Sequence, residues 1–175
     1  MNIMHDIDKK RITPDNFIAV IEISKGSKKK YELDKETGMI ILDRVLFTST
    51  HYPANYGFIP RTFAGDGDPL DVLVLCQEDI EPMCLVKCYP IGVIIMADAD
   101  EIDEKIIAIP FGDPSYNNIK NVEELPKHIV DEMSHFFEVY KELEGNRTFI
   151  QSVGNRDMAK KIIQRCMKLY EEGNR

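Results

Sequence analysis

The chain has 175 residues, 43% of them hydrophobic, which suits one domain with a sizeable core and excludes general disorder. Its 22 lysines and arginines stand against 30 aspartates and glutamates, and the formal charge of -8 argues against nonspecific nucleic-acid binding. No stretch approaches the ~18 apolar residues of a membrane span, and the N-terminal MNIMHDIDKKRITPDN has no apolar core of the signal-peptide kind. The expectation is a single domain over residues 1–175, cytoplasmic, with no membrane or nucleic-acid partner.

Residues 17–24, FIAVIEIS, alternate and are rich in β-branched side chains, so they predict a strand that carries one acid, Glu22. A turn at residues 25–27 leads to a second strand over 30–33, in which Lys30 is the lysine best placed to face a site. A third strand is expected over residues 39–47, where Arg44 is the lone cation of the apolar run IILDRVLF. An ion pair with Asp43 or another acid explains Arg44 as well as anion binding does. In HYPANYGFIPR, Tyr52, Tyr56 and Phe58 are spaced as strand residues interrupted by Pro53; they read as aromatic core, or the two tyrosines as hydroxyls that orient a phosphate or a water.

The stretch GDGDPLDVLVL, residues 65–75, carries Asp66, Asp68 and Asp71 on backbone bent by Gly67 and Pro69, at the mouth of the buried strand 72–75. Carboxylates this close repel one another, and the usual remedy is a hard divalent cation held by oxygen ligands. The long apolar segment 84–97, broken at Pro90 and Gly92, predicts a strongly bent barrel strand. A second acidic loop, residues 98–105, is expected to precede a strand over 106–109. Six short β segments before any convincing helix indicate an antiparallel barrel. Pro126 opens an amphipathic helix with Tyr140 on its apolar stripe, Lys141 at the border and Gly145 to end it; a strand over 147–153 and a second helix stopped by Gly173 follow. Cys76, Cys84, Cys88 and Cys166 form no CxxC pair and read as small buried hydrophobes.

Carboxylates interleaved with Lys30, Arg44, Lys105 and Lys141 suggest an anionic substrate bridged to metal, with Mg²⁺ the best fit. No nucleophile elbow or Walker loop is present, so the nucleophile should be water. A non-catalytic barrel that binds anions or nucleic acid, and a structural calcium-binding protein, are the alternatives.

GDGDPLDVLVL and HYPANYGFIP, with IEIS, KYELD, LDRV, the Asp98–Asp103–Lys105 spacing and HFFEVYKELE, resemble the family I soluble inorganic pyrophosphatases of bacterial type in consistent order from Ile21 to Lys141. The resemblance implies an α+β, mainly β fold: an OB-like antiparallel barrel with two flanking C-terminal helices. It implies Mg²⁺-dependent hydrolysis of pyrophosphate to two phosphates, and a homohexamer. It also implies roles. Asp66, Asp71 and Asp103 would hold the first metal, Asp71 bridging to a second, and Asp98 and Asp103 would meet metals that arrive with substrate. Asp68 would be the base, helped by Tyr56, while Glu22 would act through water. Lys30, Arg44, Tyr140 and Lys141 would grip the phosphates, supported by Tyr52 and Lys105. Ala99, Glu101 and Ser24 depart from the family pattern, where Glu, Gly and Pro are usual.

Overall fold

The computed structural model describes residues 1–173. The strands are β1 (Phe17–Ile23), β2 (Lys29–Leu33), β3 (Ile40–Val45), β4 (Asn55–Ile59), β5 (Leu70–Val74), β6 (Leu85–Asp98), β7 (Glu101–Pro110) and β8 (Thr148–Asn155). Strands β1, β4, β5, β7 and β6 pair in that order, and β6 returns to β1, so the ring closes. The long β6 spends its first residues on β1, Leu85 to Cys88, and its later ones, from Gly92, on β8. Its register slips between Pro90 and Gly92, where it changes partner. A side chain at Gly92 would lie 2.7 Å from the Val122 side chain, so only glycine lets this bend pack.

The barrel agrees with the expected fold, with one departure. β5 and β7 run parallel, Asp71 beside Lys105 and Val74 beside Ala108. The cause is arithmetic: strands that alternate in direction around a closed ring must be even in number, and this ring has an odd one. Counting β segments along the chain had placed β2 and β3 in the barrel. They form a separate two-stranded sheet, in which Lys30 lies opposite Arg44.

Alternation along the strands sorts the core into two clusters. Val72, Val74, Ile106 and Ala108 pack with Ile162, Ile163 and Cys166 of helix α3 (Arg156–Gly173). Leu73, Ile107, Ile94 and Met96 face the other way, onto Met133, Phe136, Phe137 and Tyr140 of helix α2 (Lys127–Val139) and its cap. Both C-terminal helices are therefore supports, each closing one face of the sheet. The N-terminal stretch, which carries no strong periodic signal, folds into a one-turn helix, α1 (Ile3–Asp6), capped by Asn2, and a 3₁₀ turn, Lys9–Arg11, capped by Asp8.

Two further expectations are corrected. The second acidic loop is a tight hairpin, with β6 running to Asp98, β7 starting at Glu101, and only Ala99 and Asp100 in the turn, both at positive φ (50° and 67°). The start of β7 leaves no alternation to read, since Ile102 is the one apolar residue between Asp100 and Lys105. Cys84 is exposed, while Cys76, Cys88 and Cys166 are buried, because Cys84 lies in the connection before β6 rather than inside the strand.

Candidate active site

The turn between β4 and β5 is shaped by local polar bonds. Thr62, fully buried, donates its hydroxyl to the Ile59 carbonyl at 2.5 Å and accepts the Leu70 amide at 3.0 Å, pinning the two ends of the loop together. Within it the Asp66 carboxylate accepts the Asp68 amide at 2.9 Å, and Gly67 takes φ 82°, a conformation open to glycine at no cost. Asp71 lies inside β5, one step further into the strand than the apolar run 72–75 indicates.

Strand register then brings the chemistry together. Asp71 sits beside Lys105 on the parallel β5–β7 ladder, and a bulge in β1 between Ile21 and Ile23 lets both flank Glu22 in the core while Glu22 itself meets the cavity. Gly57 allows β4 to press onto β1 at this point, since a Cβ there would be 1.8 Å from the Val20 carbonyl oxygen. The Lys105 ammonium, 2% exposed, donates to Tyr56 Oη at 2.8 Å, to Asp71 Oδ2 at 2.9 Å and to Asp103 Oδ2 at 3.1 Å. Lys141, just past the end of α2, donates to Asp98 Oδ2 at 2.5 Å, and Lys35 pairs with Asp68.

These residues line one cavity of about 700 Å³. Of the thirteen candidate positions, Glu22, Lys30, Tyr56, Asp66, Asp68, Asp71, Asp98, Asp103, Lys105, Tyr140 and Lys141 are on its wall. Tyr52 is not. It is buried behind the wall, its ring 5.3 Å from that of Tyr56 and 4.7 Å from that of Phe136, the core role that its aromatic spacing allowed. Arg44 is also off the wall: it donates to Asp43 at 2.5 Å and its Nε lies 2.7 Å from Glu144 in the 3₁₀ turn after α2. The hairpin β2–β3 is thereby tied to the segment that carries Tyr140 and Lys141.

The electrostatics are those of acids crowded into a half-buried space. Burial, reinforced by Asp71, lifts the Glu22 carboxyl to about 8, against a bond from the Leu33 amide at 3.1 Å. Burial also raises Asp103, with Lys105 pulling the other way and Asp71 adding to the rise. For Lys105, burial would favour the neutral amine, but Asp71, Tyr56 and Asp103 more than reverse it and hold the ammonium charged. Tyr56 is raised well above the ordinary phenol range by burial and then by Asp71, so it stays a neutral O–H donor.

The inorganic pyrophosphatase family model matches residues 19–171. The chain belongs to the inorganic pyrophosphatase family. It is 44% identical to the inorganic pyrophosphatase of Aquifex pyrophilus over 173 residues, 97% of this chain and 98% of that protein. Among solved structures, the inorganic pyrophosphatase of Helicobacter pylori superposes with a TM-score of 0.88 at 42% identity, covering 94% of this chain and 99% of the other. That of Thermus thermophilus gives 0.92 at 35% identity, covering 98% and 99%.

Among the described residues, no three acidic, histidine or cysteine side chains already converge as a metal cluster. The donor set of this family member nonetheless fits a hard cation. Asp66, Asp68, Asp71, Asp98 and Asp103 share the cavity, and ammonium groups stand among them as the positive charge that the acids require. Sequence reasoning missed Lys35 and Thr62. Lys35 lies in the turn between β2 and β3, and nothing local marks that turn as reaching Asp68; a buried threonine likewise leaves no trace in periodicity.

Proposed function

We propose that this pyrophosphatase hydrolyses inorganic pyrophosphate to two orthophosphates with Mg²⁺ in the carboxylate cavity. The observation that carries the reading is the joint placement of Asp66, Asp68, Asp71, Asp98 and Asp103 with the cations Lys30, Lys35, Lys105 and Lys141 on one cavity wall. Acids alone would make a cation store, and cations alone an anion trap; together they serve a substrate that is itself an anion bound through metal.

Asp66, Asp71 and Asp103 are the proposed ligands of the first ion, with Asp98 joining when substrate brings further ions. The cation supplies Lewis acidity, lowering the pKa of water and offsetting phosphate charge. Asp68 accepts the proton of the attacking water as its oxygen bonds to phosphorus, and the bridging oxygen leaves with the bond's electron pair. Tyr56 is positioned for support: its oxygen accepts from Lys105, so its own proton is free to point toward the attacking water. Lys30, Tyr140 and Lys141 hold the phosphate oxygens, and Arg44 joins them by exchanging Glu144 for phosphate. Glu22, largely protonated below about 8, acts through water as a donor at the back of the cavity.

Family resemblance extends this reading to a cytoplasmic homohexamer. No described helix is long and apolar enough to cross a membrane. The test of function is phosphate release from pyrophosphate, compared with a phosphomonoester, in Mg²⁺ and in chelator. Equal rates on the two substrates would favour a general phosphatase.

A further inference from the structure

A second cavity, of about 290 Å³, lies between the 3₁₀ turn Lys9–Arg11 and helix α3. Lys9, Lys10 and Arg61 supply three positive charges to its wall, against one acid, Glu171; Ile12, Met167 and the ring of Tyr170 make its apolar part. Cations outnumber acids here, the reverse of the chain as a whole, whose formal charge is -8. Every lysine on the catalytic wall, Lys30, Lys35, Lys105 and Lys141, is ion-paired, whereas among the described residues Lys9, Lys10 and Arg61 have no carboxylate partner.

Arg61 is fixed in advance. Its Nη1 donates to the His5 carbonyl at 2.7 Å, its guanidinium stacks 5.4 Å from the Tyr170 ring centroid, and its amide donates to the Met4 carbonyl at 3.0 Å. These bonds hold its backbone at φ 57°, a left-handed conformation that a non-glycine residue keeps only when its surroundings impose it. The turn that carries Lys9 and Lys10 is set by Asp8, which accepts the Lys10 amide at 2.9 Å. A planar, immobilised guanidinium beside two exposed lysines is suited to a compact dianion, and a volume near the lower end of ligand pockets, ~300 Å³, limits its size.

We propose that this cavity is a second anion site, separate from the catalytic one, which takes a dianionic phosphate group, free or carried on a small organic molecule whose apolar part rests on Tyr170, Met167 and Ile12. The two cavities are linked through one backbone hydrogen bond. Met4 lines the catalytic cavity and accepts the Arg61 amide, and Arg61 adjoins Thr62, which closes the Asp66–Asp68 turn. Occupancy should therefore be felt at that turn. The inference stands on its own residues and does not depend on the roles proposed in the catalytic cavity.

The test is an NMR titration of the ¹⁵N-labelled protein in chelator with inorganic phosphate, adenosine 5′-monophosphate and adenosine. The backbone amides of Lys10, Arg61 and Tyr170 should shift saturably with phosphate or with the nucleotide. Lys9→Ala/Lys10→Ala, which removes only exposed side chains, should weaken this binding by roughly tenfold or more while pyrophosphate hydrolysis stays at the wild-type rate. Equal affinity for phosphate and nucleotide would identify free phosphate as the ligand, and tighter nucleotide binding an organic phosphate. Shifts confined to the catalytic cavity, equal shifts with adenosine, or unchanged affinity in the double variant would overturn the proposal.

Discussion

Lys105→Met isolates the charge at the centre of the site. Methionine keeps the packing of the lysine stem beside the rings of Tyr56 and Phe137, whose centroids lie 5.2 and 5.0 Å from the ammonium nitrogen. What disappears is the single ammonium that neutralises both Asp71 and Asp103. Removing one partner of a buried ion pair typically costs about 3–5 kcal/mol. Asp71 and Asp103 retain 32% and 29% of their side-chain exposure, so solvent relieves part of the repulsion, and the lower end, about 3 kcal/mol, is expected. For a chain of this size that corresponds to a fall in Tm of roughly 6–12 °C. Thermal unfolding in chelator should show this loss. In saturating Mg²⁺ a divalent cation beside the same carboxylates should shrink it to under about 1 kcal/mol, because the orphaned charge is again compensated. An equal deficit with and without Mg²⁺, or none in chelator, would refute the reasoning that Lys105 occupies a position of cation demand.

Glu22 gives a pH prediction with a definite sign. Its native carboxyl titrates near 8 against 4.5 unfolded, so the native state holds the extra proton between those values and stability falls as pH rises through that window. The full shift would be worth roughly 5 kcal/mol at ~1.4 kcal/mol per unit, reduced to about 2–3 because Glu22 faces cavity water. Glu22→Gln should flatten the slope in urea unfolding of metal-free protein between pH 5 and pH 9, and an unchanged slope would assign it to other groups. Asp103→Asn should raise the Mg²⁺ requirement and cut turnover at least about tenfold, while Asp100→Asn, off the cavity wall, should change the activity by under ~1 kcal/mol equivalent; Mg²⁺ titrations in which Asp100→Asn is the worse variant would reverse the assignment. Ala99→Asn with Asp100→Gly should stabilise the β6–β7 hairpin by about 1 kcal/mol, since both positions have positive φ and this pair suits such a turn. A drop in denaturation midpoint would show that the present turn residues make contacts worth more than their strain.

Much of the site was legible because its acids and cations are embedded in apolar strand sequence, where charge is costly without a partner; Glu22, Asp71 and Lys105 all stand out in this way. Two-residue alternation and apolar runs also located barrel strands, and a helical apolar stripe the two supporting helices. What it could not convey is pairing. The parallel contact of β5 with β7, which sets Asp71 beside Lys105, depends on ring closure over long separations. Tyr52 and Arg44 were marked by residue type, yet whether a tyrosine or an arginine meets a cavity or a neighbouring side chain is decided by packing. The hairpin at Ala99 and Asp100 was hidden for a different reason: alanine rarely takes positive φ and Asp100 stands where such a turn usually has glycine, so the chain reads there as a loop.

The central claim is that the carboxylate cavity hydrolyses pyrophosphate with Mg²⁺, and initial-rate phosphate release by wild type and Asp71→Asn tests it most directly. Wild type should release two phosphates per pyrophosphate in Mg²⁺ and none above background in chelator, and Asp71→Asn should lose nearly all of that rate while unfolding as a single cooperative domain. Turnover that survives chelation, or a folded Asp71→Asn that keeps most of its activity, would contradict the account.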